Sequence, residues 1–257
     1  KPTDLRDPEY FHKVVDCQYA CPAHTPVPEY IRLIAQERYD DAYMVNWESN
    51  VFPGILGRTC DRPCEPACRR GRVEEEPVAI CRLKRVAADN KDSIIDRLPK
   101  IPQRKNGKKI ALIGGGPASL TVARDLAPLG YQLDLYDDQP AGGGFMRSQI
   151  PSFRLPPTVL DEEVDYILDM GVHTHFKTYV DSLKSVLDKG YDAVFVGTGA
   201  PRGSNLDIPG REESSKHIHV GIKALRSVAV QHLPKLGERV LVLAGVDRTG
   251  GCCRPAR

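Results

Sequence analysis

Six of the eight cysteines in this 257-residue chain lie in its first 81 residues. They are Cys17, Cys21, Cys60, Cys64, Cys68 and Cys81, which form a C-x3-C pair, a C-x3-C-x3-C run and one further thiol. A spacing of four on a helix or in a tight loop turns thiols to one side. Soft thiolates bind iron–sulfur clusters and zinc. Because structural zinc sites favour C-x2-C spacings, a cluster is the favoured interpretation, zinc is the second, and isolated structural cysteines are the third.

A glycine turn over residues 114–119, GGGPAS, is the second group with the potential for chemistry. It follows the apolar run KIALI and precedes a helical stretch, so Gly114 permits a tight turn and Gly116 lets the backbone approach a pyrophosphate. Asp137 ends the next apolar run, where a ribose-binding acid is expected. The pattern predicts a dinucleotide site, and the alternative is a glycine turn of an unrelated α/β protein. The predicted site comprises Gly114, Gly116, Pro117, Ala118, Ser119 and Asp137.

These residues need two kinds of scaffold. The first part of the chain predicts a helix over residues 26–47 and another over residues 77–90, each with proline in its first turn. From Lys109 onwards strands and helices alternate, as in the βαβ units of a parallel sheet. Strands are predicted over 109–114, 131–137, 191–199 and 238–245, and helices over 117–130, 162–171, 181–190 and 221–233.

Composition excludes several classes of function. The formal net charge of +2 is too small to indicate a nucleic acid or an anionic membrane as partner. No apolar run approaches the roughly 18 residues of a membrane span, so no membrane insertion is expected. The first residues contain no apolar core of a signal peptide, which makes the cytoplasm the expected location. In that compartment clustered thiols bind metal or do redox chemistry more often than they form disulfides.

Residues 17–82 resemble the N-terminal iron–sulfur domain of the glutamate synthase small (beta) subunit, a domain shared with dihydropyrimidine dehydrogenase and bifurcating transhydrogenase subunits. The matching segments are CPAHTPVPEYI, NVFPGILGRTCDRPCEPAC and PVAIC. The resemblance continues over residues 108–210 through KKIALIGGGPASL, GGGFMRSQIPSFRLPPTVLDEEV, YDAVFVGTGA and LDIPG. So many segments in the family's order make a chance match implausible.

The resemblance implies an α/β chain with an N-terminal α-helical iron–sulfur domain and a two-dinucleotide-binding, Rossmann-like flavoprotein module. The expected domains are residues 1–100 for the cluster, 101–220 for FAD and 221–257 for the start of an NAD(P)-binding domain. The chain ends at Arg257, inside the helix expected after the last predicted strand. We therefore expect a C-terminally truncated fragment.

The family holds two [4Fe–4S] clusters, but the ligands here predict one. Two ligand positions of the first cluster fall on Phe11 and Val14, so Cys17 and Cys68 are expected to be free thiols close together. The second cluster would use Cys21, Cys60 and Cys64, with Lys84 at the position of the family's fourth, carboxylate or amide ligand. An ammonium cannot ligate iron, and Cys81 lies one turn earlier on the same helical face. Cys81 is therefore the expected fourth ligand, and Cys68 is the alternative.

The same resemblance implies FAD beside the glycine turn. The segment GGGFM and the following Ile-Pro match the family's flavin-contacting turns, and Thr198-Gly199 matches the turn that closes over FAD. The residues expected to contact FAD, beyond those of the glycine turn, are Gly143, Gly144, Phe145, Met146, Arg147, Ile150, Pro151, Val180, Thr198 and Gly199. At the second nucleotide motif, Val246 and Thr249 replace small residues, so the NAD(P)H site is expected to be degraded or incomplete.

The function implied is electron transfer between NAD(P)H, FAD, one [4Fe–4S] cluster and a partner subunit of a hetero-oligomeric complex. Hydride exchange with the flavin is the cofactor's chemistry, so no side chain is expected to act as a catalytic acid or base. An alternative is an electron-transfer or assembly subunit without its own nicotinamide activity, and a self-contained flavoenzyme is a third. The two H-x-H pairs, His173 with His175 and His217 with His219, are expected to have surface or packing roles.

Overall fold

The computed structural model describes residues 15–203, 208–229 and 238–243. The chain divides into two compact units on either side of Pro99. The helices of the first unit are α1 (Asp16–Ala20), α2 (Val27–Ala35), α3 (Tyr39–Asn50), α4 (Pro53–Thr59) and α5 (Ile80–Asn90). The second unit contains strands β1 (Lys109–Ile113), β2 (Gln132–Tyr136), β3 (Val172–His175) and β4 (Ala193–Val196). Its helices are α6 (Pro117–Leu126), α7 (Phe145–Ser148), α8 (Pro157–Leu168), α9 (Leu183–Leu187) and α10 (Gly221–Ala229).

The predicted helix over residues 26–47 is two helices, α2 and α3. Proline lies in the first turn of α2, where its missing N–H costs no hydrogen bond. The break comes at Glu37, whose φ of 60° is left-handed and ends the helical run. The sequence around Glu37 contains no glycine or proline, so helical periodicity alone could not locate this turn.

The core of the first unit is built by α2, α3 and α5 packing their apolar faces together. Tyr30 of α2 is fully buried, and its hydroxyl donates to the carbonyl of Ile80 at 3.1 Å. Helix α4 packs very closely on α5, because a Cβ at Gly57 would come within 2.8 Å of the Arg85 backbone. The thiol-bearing turns are therefore attached to a rigid packed core.

All strands of the described sheet are parallel, and their order is β3-β2-β1-β4. Ile113 at the end of β1 pairs with Tyr136 of β2 on one side and with Val196 of β4 on the other. The carboxyl ends of β1, β2 and β4 consequently meet at one edge of the sheet. Ligands of such folds bind in the crevice outside the carboxyl ends of the strands.

Two parts of the second unit differ from the sequence-based expectation. Strand β3 has the sequence VHTH, which lacks an apolar alternation, and it forms because it pairs with β2. The strand predicted over residues 238–245 is not formed over residues 238–243, where Leu241 is 82% exposed; Ala244 and Gly245 lie outside the described residues. Within the described ranges, no helix is both long and apolar enough to cross a bilayer.

Candidate functional site

Three thiols of the first unit lie at the ends of its helices, and a fourth lies in a turn between two of them. Cys21 directly follows α1, and Cys60 directly follows α4, whose last turn its backbone N–H caps. Cys81 lies in the first turn of α5 and is 7% exposed, while Cys64 lies in the turn between α4 and α5 and is 8% exposed. Helix ends leave backbone N–H and C=O groups free for other partners. The Cys81 thiol accordingly lies 3.4 Å from the carbonyl oxygen of Leu56.

These four thiols interact with one another. The Cys60 and Cys81 thiols affect each other: Cys81 lowers the pKa of Cys60, whereas Cys60 and burial raise the pKa of Cys81. Burial raises the pKa of Cys64 to about 11, and its negative neighbours Cys60 and Cys21 add to the rise. The structure thus brings together Cys21, Cys60, Cys64 and Cys81.

Cys17 and Cys68 form a second group. The guanidinium of Arg69 donates to the carboxylate of Asp16 at 2.6 Å, and this ion pair joins the two residues that precede Cys17 and follow Cys68. The pKa of Cys17 is raised, chiefly by burial and in smaller part by Cys68. Both thiols are free in the structure. Phe11 and Val14, at the two other ligand positions of the family's first cluster, lie outside the described residues.

Two features of the group formed by Cys21, Cys60, Cys64 and Cys81 show whether it suits a cluster: its ligand atoms and the charge beside them. In the part of the chain that the structure describes, no three His, Cys, Asp or Glu side chains converge on a point suited to a single metal ion. A [4Fe–4S] cluster takes one thiolate per iron, so its ligands surround a larger volume than a single ion. Lys84, on α5, is only 7% exposed and supplies a buried positive charge beside these thiols. Thiol donors around a buried cation fit an anionic, thiolate-bound cluster.

Three glycine-containing turns meet at the carboxyl edge of the sheet. At Gly114, whose φ is 94°, a Cβ would come within 2.5 Å of the Gly197 carbonyl oxygen and within 3.0 Å of the Thr198 Cα. At Gly144, whose φ is 50°, a Cβ would come within 2.7 Å of the Gly116 Cα. The backbone N–H of Gly143 donates to the Gly115 carbonyl at 2.8 Å. Because these glycines have no side chains, their turns form a backbone-lined cradle at the start of α6.

Asp137 lies directly after β2 and is 9% exposed. One carboxylate oxygen accepts a hydrogen bond from the backbone N–H of Gly115, and the other accepts from the N–H of Gln139 at 2.7 Å. A carboxylate has about four lone-pair sites, so each oxygen can accept a further donor. Asp137 both fixes the glycine turn and keeps the capacity to bind a ribose hydroxyl.

Helix α6 presents its N-terminus to this cradle. Gly116 is its N-cap, and Pro117 and Ala118 form its first turn. The free N–H groups and the dipole of such an end favour a phosphate. Ser119 is fully buried, and its hydroxyl has no hydrogen-bond partner among the described residues. An unpaired buried hydroxyl beside a glycine cradle fits a bound dinucleotide that supplies the missing partner.

The remaining predicted residues are more dispersed around the cradle. Arg147 is held in place, because its side chain donates to the Gly142 carbonyl at 2.7 Å and to Asp161 at 2.6 Å. Val180 packs against the apolar cluster of Ala111, Ile113, Tyr136 and Val186, so it contacts the core of the second unit. Met146 and Pro151 are buried, Ile150 is half-buried, and Phe145, Thr198 and Gly199 are exposed.

Two features of the second unit escaped the sequence reasoning. The side-chain oxygen of Gln149, directly after α7, is buried and has no hydrogen-bond partner in the part of the chain that the structure describes. On β2, the buried carboxylate of Asp134 lies 3.0 Å from His175 Nε2 and 3.7 Å from His173 Nδ1 of β3. His175 also stacks on Tyr136 at 4.5 Å between ring centroids. The register of β2 against β3 creates this contact, and only the H-x-H pair was visible in the sequence.

Comparisons with known proteins agree with this arrangement. Residues 12–94 match the family model described as dihydropyrimidine dehydrogenase domain II, 4Fe–4S cluster. Residues 112–189 match the NAD(P)-binding Rossmann-like domain. The first model covers most of the helical unit, and the second covers the glycine turn, β2 and β3 but ends before β4.

Several curated relatives extend the match over most of the chain. It is 35% identical, over 93% of its length, to the NADP(+)-dependent formate dehydrogenase subunit beta of Moorella thermoacetica. It is 33% identical, over 99% of its length, to the NADPH-Fe(3+) oxidoreductase subunit beta of Geobacter sulfurreducens. It is 34% identical, over 82% of its length, to the NAD-dependent dihydropyrimidine dehydrogenase subunit PreT homolog of Salmonella typhi. The chain spans 37%, 39% and 51% of these relatives, respectively.

An iron–sulfur cluster domain followed by a parallel Rossmann-like domain defines a class of redox proteins. The chain belongs to the glutamate synthase small-subunit-like family of that class.

Proposed function

We propose that this chain is an electron-transfer component that carries FAD and one [4Fe–4S] cluster and exchanges electrons between NAD(P)H and a partner subunit. The family, with its cluster domain and Rossmann-like domain, supports the redox role. The names of the curated relatives include two beta subunits, which supports a hetero-oligomeric partner. Thiolate chemistry suits a reducing compartment, and we place the protein in the cytoplasm.

The observation that carries the cluster proposal is the grouping of the thiols. Electrostatic effects link Cys64 to Cys60 and Cys21 and link Cys60 to Cys81, with the buried cation Lys84 beside them, whereas Cys17 is affected by Cys68. Four thiolates are the usual ligand set of a [4Fe–4S] cluster. We therefore assign one cluster to the first group and none to the second.

For the Rossmann-like unit we propose FAD rather than a nicotinamide nucleotide. The unpartnered Ser119 hydroxyl and the backbone-lined cradle of Gly114, Gly116 and Gly144 support a bound dinucleotide. The choice of FAD rests on the resemblance of Gly143–Pro151 and Thr198–Gly199 to the family's flavin-contacting turns. When bound, FAD would supply the exchange between two-electron hydride chemistry and one-electron transfer.

The chain's own residues position this cofactor. The N–H groups at the start of α6 neutralise phosphate charge, and Asp137 accepts a hydrogen bond from a ribose hydroxyl. Arg147 braces the turn at Gly142 through its bond to that carbonyl, so the glycines keep their conformation when the cradle is filled. We assign no catalytic acid or base, because the chemistry belongs to the cofactors.

A second candidate is an electron-transfer or assembly subunit with flavin and cluster but no nicotinamide activity of its own. It is favoured by Val246 and Thr249, which stand at positions where a pyrophosphate needs small residues. Both residues lie outside the described part of the chain.

Reduction of the chain, purified without oxygen, tests these proposals. We expect bound flavin and iron, and bleaching of the flavin absorbance on addition of NADH or NADPH. Bleaching by dithionite but by neither nucleotide would favour the second candidate. A folded chain that holds neither FAD nor iron after reconstitution would contradict both, and turnover of an organic substrate by this chain alone would contradict the need for a partner.

A further inference from the structure

Lys84 is a buried cation that makes no hydrogen bond or ion pair with an acidic group among the described residues. It lies on α5 one turn after Cys81, faces the core of the first unit, and is 7% exposed. Among the described residues it forms no salt bridge and no hydrogen bond. Burying an ammonium without a partner is costly, so lysines of this kind are normally paired with an anion.

The groups facing Lys84 are thiols. Its positive charge acts on Cys60, Cys64 and Cys81 in the direction that favours their thiolate forms. A bound metal takes its thiol ligands in the deprotonated form. The counter-charge that Lys84 lacks would therefore appear when the thiols bind iron.

Two acidic groups lie near these thiols. Asp61 accepts a hydrogen bond from the Cys60 thiol at 3.8 Å, and Glu65 acts on Cys81. The carboxylate of Glu65 accepts the backbone N–H of Cys81 at 3.0 Å, which caps the start of α5. Its second oxygen lies 3.7 Å from Arg62. Glu65 thus holds the backbone of Cys81 in place. The positive charge of Lys84 can therefore stabilise the thiolates.

We propose that Lys84 supplies a fixed positive charge that stabilises the anionic cluster and raises its reduction potential. This inference rests on the proposed cluster at Cys21, Cys60, Cys64 and Cys81. Each electron accepted from a donor adds one negative charge and breaks no bond. A fixed cation beside the thiolates therefore favours the reduced state, and net charge around a cluster is one of the factors that sets its potential.

The test measures the cluster's midpoint potential in two variants at Lys84. K84M removes the charge and keeps most of the side-chain volume, whereas K84R keeps the charge. The control is R82Q, which removes a positive charge from an exposed position of the same helix, where solvent screens it. Iron content is determined first in the wild-type chain and then in every variant.

We expect K84M to retain about four irons per chain, the content of one [4Fe–4S] cluster, with a midpoint potential shifted to a more negative value. K84R and R82Q should stay close to the wild type. A cluster-containing K84M with the potential of R82Q would overturn the inference, as would a K84R variant whose potential falls as far as that of K84M. Loss of the cluster in both variants would show a purely structural role and would also overturn the inference. A wild-type chain without iron would instead overturn the proposed function itself.

Discussion

The thiol of Cys81, in the first turn of α5, lies 3.4 Å from the carbonyl oxygen of Leu56 on α4, the helix that Cys60 directly follows. The contact depends on the close packing of those two helices around Gly57. Cys81 is thereby held in the same group as Cys21, Cys60 and Cys64, and this grouping is the basis for a four-thiolate site.

The packing at Gly57 predicts a stability effect. In Gly57→Ala the new methyl group would come within 2.8 Å of the Arg85 backbone, so α4 and α5 must separate. Overpacking of this kind costs about 1–3 kcal/mol, partly offset by the better helix propensity of alanine, and we expect a net loss of about 1–2 kcal/mol. The measurement is denaturant unfolding of the chain.

Gly71→Ala is the matched control for that variant. A Cβ at Gly71 would approach nothing closer than the Pro77 nitrogen at 3.9 Å, an ordinary contact. If Gly57→Ala were as stable as Gly71→Ala, the close approach of α4 to α5 would be incorrect.

A second prediction concerns the glycine cradle. Gly144→Ala places a methyl group within 2.7 Å of the Gly116 Cα, in the turn that opens α6. We expect the affinity for FAD to fall by about tenfold or more, equivalent to about 1.4 kcal/mol. Gly171→Ala is the control, because Gly171 also has a positive φ, of 86°, but a Cβ there would meet nothing within 4 Å. Flavin titration of the apoprotein compares them, and equal affinities would argue against a cofactor in this cradle.

A third prediction is a pH dependence of stability at Asp89. Burial raises the pKa of Asp89, but hydrogen bonds from Arg58 at 2.6 Å and Arg85 at 3.0 Å outweigh it and lower the pKa below the usual value of 3.8. A lowered folded-state pKa stabilises the fold above the unfolded-state pKa, and this stabilisation disappears as pH falls through the folded-state pKa.

Asp89→Asn should therefore cost about 0.5–1 kcal/mol at pH 7, a value reduced by solvent screening of the partly exposed carboxylate. The cost should vanish at a pH well below 3.8. Asp181→Asn, at an exposed position, controls for the loss of one negative charge. A cost for Asp89→Asn that stays constant down to the acid limit of folding would contradict the ion-pair explanation. Unfolding free energies measured across the pH range provide the comparison.

The sequence predicted best those features that depend on neighbouring residues. The turn after β1, with Gly114 and the following helix, has its own local signature, and so does Asp137 at the end of β2. Helix α4 was missed because Gly54 and Gly57 lower its helix propensity, whereas its packing on α5 needs a glycine. At Gly57, therefore, helix propensity disfavours glycine, whereas the packing of α4 on α5 requires it.

Contacts between distant segments could be predicted only through the family resemblance or not at all. The ion pair of Arg69 with Asp16 and the contact of His175 with Asp134 both depend on how separate elements pack. Nothing in the spacing of residues 172–175 marks an edge strand, since β3 has one buried residue, Val172. The burial of Lys84 was likewise invisible, because the sequence showed only that a cation cannot ligate iron.

The most direct test is iron analysis of the chain and of two cysteine variants, all reconstituted without oxygen. We predict about four irons per chain in the wild type and in Cys68→Ser, and loss of the cluster in Cys81→Ser, because a [4Fe–4S] cluster needs four ligands. Both substitutions remove one thiol and differ only in which group it belongs to. About eight irons in the wild type, or an intact cluster in Cys81→Ser with a lost one in Cys68→Ser, would contradict the assignment.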